Sequence, residues 1–256
     1  MSVVTYEGVE ADSRVKALFS GWDETLIWSC LQGIMGTLYV SSDYCSALAF
    51  LGDFCFFAGK PDMELARLPV AGGASKYIIA APQSEDWATL LEDVWGSHAQ
   101  RTERYAIAKE PGIFDRKRLE AAVEALPPEY ELRLIDGSLY EQCKTQDWSI
   151  DLVSQYHSYE YYERLGLGVV ALKGEELVSG ASSYSSYRGG IEIEIDTRKD
   201  HRRRGLAYAC GAALILACLD RGLYPSWDAQ NLASVALAQK LGYHFSHAYP
   251  VYEINL

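Results

Sequence analysis

The stretch from Ile191 to Leu219 constrains the fold most, because three patterns meet there without interruption. The run IEIEIDT, Ile191–Thr197, alternates apolar and acidic residues and reads as a strand with one apolar face. The loop RKDHRRRGLA, Arg198–Ala207, follows it, and the apolar YACGAALILACL, Tyr208–Leu219, reads as a buried helix. A glycine-bearing loop that delivers a strand into a helix start makes an anion site. The first helical N–H groups have no intrahelical partner, and the positive end of the helix dipole lies there. Gly205 lets the backbone approach an anion closely, Ala207 keeps the first turn thin, and Arg202, Arg203 and Arg204 add charge. Taken alone, the same loop reads equally well as a solvated basic surface.

Composition narrows the alternatives. The chain has 256 residues, 49% of them hydrophobic, enough for a substantial core in one or two domains. A net charge of −12, with one dense basic cluster at Arg198–Arg204, argues against nucleic acid as a main partner. The six cysteines, Cys30, Cys45, Cys55, Cys143, Cys210 and Cys218, form no C-x-x-C pair and sit mostly in apolar runs. Reduced buried thiols are expected, and with them a cytoplasmic location. The start, MSVVTYEGVEADSR, has acids in place of the basic residues of a secretory leader. The apolar helix Leu206–Leu219 is shorter than the roughly 20 residues a span requires, so no membrane partner is expected. G-x-S-x-G, Walker A and a post-strand G-x-G-x-x-G are all absent.

The C-terminal half reads as a helix over Ser149–Leu165 and a meander of three strands, Gly168–Lys173, Leu177–Tyr187 and Ile191–Thr197. Then come a helix over Leu206–Arg221 closed by Gly222, a strand over Tyr224–Ala229, a helix over Leu232–Leu241 capped by Asn231, and a strand over Tyr243–Ile254. The N-terminal half has nearly the same order. Helices are expected over Ala11–Phe19 and Asp23–Leu31, and strands over Thr37–Val40, Cys45–Leu51 and Phe54–Ala58, with a tight turn at Gly52-Asp53. A helix over Asp62–Leu68, a strand over Tyr77–Ala81, a helix over Ser84–Trp95 and a strand over Thr102–Lys109 complete it. An internal repeat follows, whose first copy has no R-x-x-G-x-G/A between Phe54 and Tyr77. Phe114–Ile135, carrying Pro127-Pro128, reads as the connection. The expected class is α/β (α+β), a mixed, mostly antiparallel sheet flanked by helices. The expected domains are 1–125 and 126–256.

Arg202-x-x-Gly205-x-Ala207 fits the R/Q-x-x-G-x-G/A motif, and Trp227–Asn231, Ser234 and Ala238–Tyr243 fit a second block, a strand leading through Asn into a helix that ends in K-L-G-F/Y. In order and context the two resemble the GCN5-related N-acetyltransferase (GNAT) superfamily over roughly Ser149 to Leu256. P-x-W-D-x-x-N-x-x-S further resembles the branch with zwittermicin-resistance acetyltransferases. The resemblance implies a degenerate GNAT-like first half and an acetyl-CoA-binding catalytic second half. It places pyrophosphate on the amides of Arg203, Arg204, Gly205, Leu206 and Ala207, with Arg202 adding charge. The pantetheine arm would lie along the backbone of Ile195, Asp196 and Thr197, and Asn231 and Ser234 would approach from the other side.

The implied reaction is acetyl transfer from acetyl-CoA to the amine of a small molecule in a ternary complex. The alternative is an acyl-CoA-binding module without turnover. Positioning does most of the work, and a carboxylate must take the ammonium proton. Glu192 and Glu194 share a strand face and are the leading bases, Glu194 slightly ahead, although an amphipathic strand with a wet face looks the same. Asp228 is a third candidate. Where superfamily members place an acidic Tyr, this chain has Ala238, which leaves water or another tyrosine such as Tyr208 or Tyr243. Tyr156–Glu163 and Ser182–Tyr187 are expected to border the acceptor, unless the tyrosines merely edge the core. His244 and His247 fall on opposite strand faces, so no metal site is expected. The acceptor amine and the oligomeric state are not readable.

Overall fold

A computed structural model describes residues 3–71 and 77–255. By sequence the first half carries β1 (Val3–Glu7), α1 (Ser13–Leu18), α2 (Thr25–Leu31), β2 (Thr37–Ser41), β3 (Ser46–Leu51), β4 (Phe54–Gly59), α3 (Met63–Ala71), β5 (Tyr77–Pro82), α4 (Glu85–Trp95) and β6 (Ala99–Ile107). The second carries α5 (Arg116–Glu124), β7 (Glu131–Leu134), α6 (Gly137–Lys144), α7 (Tyr159–Leu165), β8 (Gly168–Lys173), β9 (Glu176–Tyr187), β10 (Gly190–Thr197), α8 (Leu206–Asp220), β11 (Tyr224–Ser226), β12 (Asp228–Ala229), α9 (Leu232–Leu241) and β13 (Phe245–Asn255). From β1 and from β7 the chain runs through the same order: strand, two helices, three-strand meander, helix, strand, helix, strand. The mixed, mostly antiparallel architecture and the repeat both follow the sequence pattern.

Two compact units result, one of 1–104 with 248–256 and the other of 105–247. In the first, β1 to β4 pair antiparallel in order, β5 adds parallel to β4, and β13 pairs antiparallel with β5 through Tyr252↔Ala80 and Ile254↔Ile78. In the second, β7 to β10 pair antiparallel in order and β11 adds parallel to β10. There β12 pairs with the end of β6 through Asp228↔Ala106 and Ala229↔Tyr105. Each half thus gives its last strand, wholly or in part, to the other unit. This differs from the expected division at 125/126: residues 105–125 group with the second unit, and 248–256 with the first.

Other boundaries moved for local reasons. Phe114–Ile135 is not a bare connection but holds α5 and β7. α5 turns Leu119, Ala122 and Val123 to the core, a helical spacing that the sequence already carries, whereas β7 exposes three of its four residues and shows no alternation. Ser149–Leu165 divides into a 3-10 turn at Ile150–Leu152 and α7, which starts at Ser158, whose hydroxyl accepts from the Tyr161 N–H. The expected strand Tyr224–Ala229 breaks at Trp227. α8 is apolar on nearly all sides and runs through the second unit's core, packed by Ile191, Ile193, Val169 and Ala181 of the sheet. Among the described residues, no helix is long and apolar enough to cross a membrane.

Candidate functional site

β10 positions the centre of the site. Ile191 and Ile193 are buried in the α8 core, and alternation turns Glu192, Glu194 and Asp196 to the opposite face. Glu192 is buried, whereas Glu194 and Asp196 are half-buried. Pairing with β11 is brief: Gly190↔Tyr224, Ile191↔Pro225 and Glu192↔Ser226. The chain then leaves at Trp227, and β12 joins β6. From Ile193 to Thr197, β10 stays paired with β9 but not with β11, so a fork opens beside Glu192. A bulge sits at the same point, where Glu192 faces Ser185 and Ile193 faces Ser183, leaving Tyr184 as the extra residue on β9. Tyr243 anchors the departing strand: its hydroxyl donates to the Pro225 carbonyl (2.7 Å), and its ring meets Trp227 edge-on at 5.6 Å.

The basic turn follows the stretch of β10 that β11 has left. After a 3-10 turn at Lys199–His201, Arg203 (φ 61) and Gly205 (φ 81) both take left-handed backbone, and Gly205 starts α8 with no side-chain cap. A Cβ at Gly205 would meet nothing within 4 Å, so its surroundings are open. Leu206 is buried and fixes the helix start, and Ala207 is half-buried. The arginines act differently from expectation. Arg202 folds back, its Nε donating to the Thr197 carbonyl (3.1 Å) and its Nη2 lying 3.8 Å from the Asp196 carboxylate. Arg204 donates to the Tyr130 hydroxyl (3.2 Å) and to the Asp200 carbonyl (3.2 Å). Arg203 is exposed.

Burial pushes the Asp196 carboxyl above its ordinary value, against the pull of the Thr197 N–H and of Arg202. Thr197 turns its side chain into the sheet, where its hydroxyl meets Ser179 Oγ at 2.7 Å, and its N–H donates to the Asp196 carboxylate (2.6 Å). Burial lowers the pKa of His201, with the Asp200 carboxylate opposing the shift. Arg198 in turn holds the Asp200 carboxyl below its usual range.

Asn231 caps α9, its side-chain oxygen accepting from the Ser234 N–H (3.0 Å), which leaves its amide NH2 and the Ser234 hydroxyl outside the cap. Ala238 is fully buried in the α8 core and is no site for an acid. Tyr243 is likewise core, and burial holds its pKa well above the ordinary value. Tyr208, half-buried in the first turn of α8 with Lys240 Nζ 4.1 Å from its ring centre, is the tyrosine closest in sequence to the turn. The expected acceptor wall is largely core. The Tyr156 hydroxyl donates to Ser183 Oγ (2.8 Å), and Tyr162 Oη and Ser182 Oγ lie 2.8 Å apart, all four residues being buried. His157 and Tyr161, with rings 4.4 Å apart, remain at the surface side of α7. Asp228 is held in β12, and His244 pairs with Glu110 (2.8 Å).

A family model described as GNAT acetyltransferase matches residues 16–252, through both units. The chain belongs to the GNAT acetyltransferase family. It is therefore an acetyltransferase, of a family that generally uses acetyl-CoA. An uncharacterized N-acetyltransferase of Bacillus subtilis, YdfB, is 27% identical, the alignment covering 98% of this chain and 99% of that protein. A GCN5-related N-acetyltransferase-like protein from Streptococcus suis is 49% identical, with a TM-score of 0.89 over 94% of this chain and 97% of that one. A tandem GNAT protein from the clavulanic acid biosynthesis pathway shares the fold at 12% identity and a TM-score of 0.51, covering 98% and 97% of the two chains. A tandem relative fits the two GNAT-like halves.

Two residues of the site escaped the sequence. Tyr130 and His201 brace the turn, yet His201 looked like one member of a charge run and Tyr130 stands in no motif. Only their meeting at 3.2 Å reveals them.

Proposed function

We propose that the chain transfers an acetyl group from acetyl-CoA to the amine of a small molecule, with both held together in a ternary complex. One observation carries this reading: an uncapped helix start at Gly205 lies at the end of a strand that parts from β11 after Glu192. When bound, acetyl-CoA supplies the acyl group as a thioester, and its phosphates and pantetheine amides are the groups this surface suits. The amides of Arg203–Ala207 receive the pyrophosphate, the positive helix end adding to their pull. Within Ile195, Asp196 and Thr197, the Ile195 backbone pairs with the pantetheine arm as an absent strand would, because the Thr197 N–H already donates to the Asp196 carboxylate and its carbonyl accepts from Arg202. The Asn231 amide and the Ser234 hydroxyl contribute from α9.

The Ile193 N–H, first beyond the fork, is placed to polarise the thioester carbonyl. Glu192 takes the ammonium proton, directly or through water, because it stands at the fork. Glu194, one step along the same face and half-buried, passes the proton toward solvent. The carboxylates Glu192, Glu194 and Asp196 along one face suit a cationic acceptor.

Acetyl-CoA at 100 times its dissociation constant should stabilise the fold by about 2.7 kcal/mol in a thermal-shift assay. No shift at millimolar acetyl-CoA would sink the reading. In a thiol-release assay over a panel of amines, Glu192→Gln should lower kcat by about 100-fold and leave cofactor affinity unchanged, with Glu194→Gln costing less. Unchanged rates in both variants would remove β10 as the source of the base.

A further inference from the structure

Tyr130 follows the Pro127-Pro128 bend, its N–H donating to the Pro127 carbonyl (3.0 Å), and only 6% of its surface is exposed. Its hydroxyl lies 3.2 Å from His201 Nδ1 and 3.2 Å from Arg204 Nη1. The Tyr130 and His201 rings meet edge-on, centroids 5.8 Å apart, and Lys173 Nζ lies 6.0 Å from the Tyr130 ring centre. One phenol therefore ties down both the start of the basic turn and the residue just before Gly205.

One arrangement gives the buried phenol hydrogen an acceptor within this cluster. A guanidinium can only donate, so the Tyr130 oxygen accepts from Arg204. Its single hydrogen then goes to His201 Nδ1, which accepts as a neutral imidazole carrying its proton on Nε2. That nitrogen lies 3.7 Å from the Asp200 carboxylate. With the other tautomer, or with a protonated ring, the buried phenol hydrogen would lose this acceptor. Between the two tethered residues stands Arg203 at φ 61, a conformation that costs a side-chain-bearing residue about 1–2 kcal/mol. Strained backbone persists where its surroundings over-determine it, and the Tyr130 bonds do so here.

We propose that Tyr130 is a positioning residue for the phosphate turn. Through His201 and Arg204 it holds the amides of Arg203–Ala207 in their anion-receiving arrangement, and so sets affinity for the phosphate-bearing part of the donor without touching the reacting atoms. The inference rests on the acetyl-CoA reading above.

Tyr130→Phe tests it, since it keeps the ring against His201 and Lys173 and removes only the hydroxyl. Calorimetry with CoA should show a dissociation constant about tenfold higher than wild type, the loss expected for a hydrogen bond to a charged group. The KM for acetyl-CoA should rise in parallel, while kcat at saturation stays within about twofold. With S-acetylpantetheine, a donor without phosphates, kcat/KM should stay within about twofold as well. His201→Phe should reproduce the loss of CoA affinity. CoA affinity within about twofold of wild type in both variants overturns the proposal. So does an equal loss with S-acetylpantetheine, which would assign Tyr130 to the fold at large. Failure of the wild-type protein to bind CoA overturns the acetyl-CoA reading itself, and that result precedes any variant.

Discussion

The two halves share an order of elements but differ at the two places where a ligand would enter. In the first, β5 stays beside β4 over four pairs, from Phe54↔Ile79 to Phe57↔Pro82, and takes β13 on its other edge. In the second, β11 stays beside β10 for three pairs and the chain then leaves, opening the fork at Glu192. The helix starts differ as sharply. The Asp62 side chain caps α3, accepting from the Glu64 N–H (2.8 Å) and the Leu65 N–H (3.0 Å), so a carboxylate of the chain itself holds the anion position. α8 begins at Gly205 with no such cap. One topology thus gives a first copy whose helix start is capped by its own carboxylate, and a second whose strands part early and whose helix start has no side-chain cap.

The most drastic way to break the comparison is to cut between the halves. If the exchanged strands matter as the pairing suggests, neither 1–125 nor 126–256 alone should give a cooperative thermal transition by circular dichroism. The first would lose Tyr252 and Ile254, both buried, from beside β5. A cooperative melt of 126–256 would show that the exchange is dispensable. Next, Gly205→Asp gives the second half the carboxylate cap of the first, and acetyl-CoA affinity should fall by at least about 100-fold, as like charges meet where the phosphate belongs. Retained affinity would move the anion site away from the helix start.

A smaller effect is expected at Arg203, where Gly should relieve the left-handed backbone and raise stability by about 1 kcal/mol, read as a higher Tm. An unchanged or lower Tm would show that the turn carries no such strain. The smallest should come from acid. Because burial lowers the pKa of His201, the native state binds this proton less readily than the unfolded chain. The stability it contributes is complete above the ordinary value of 6.5 and is lost as pH falls through the lowered one. Between pH 7 and pH 5, Tm should therefore decline more in wild type than in His201→Gln.

The turn was legible because all its parts are contiguous: strand, arginines, glycine and helix lie within thirty residues and each follows a local rule. The missing tyrosine at Ala238 was legible for the same reason, by register from Asn231 to Gly242. Of the two readings of Tyr156–Glu163, the core edge describes Tyr156 and Tyr162. Tyrosines and serines in and just before α7 and on β9 have the composition of a binding surface, but Tyr156 and Tyr162 spend their hydroxyls on Ser183 and Ser182 inside the core. The division of the chain was misread because hydrophobic periodicity reports that a strand exists, not which sheet it completes.

By itself the sequence determined a repeated α/β order, a glycine-led helix start in one half and not the other, and the motifs of an acetyltransferase family. Those depend on neighbours a few residues away, where propensity and pattern act. Tertiary structure alone decided the rest. It broke Tyr224–Ala229 at Trp227 to open the fork, exchanged strands between the halves, folded Arg202 and Arg204 back along the turn as exposed braces, and brought Tyr130 to a turn 71 residues along the chain. Such features rest on partners distant in sequence, whose meeting is fixed only when the sheet and the α8 core pack together.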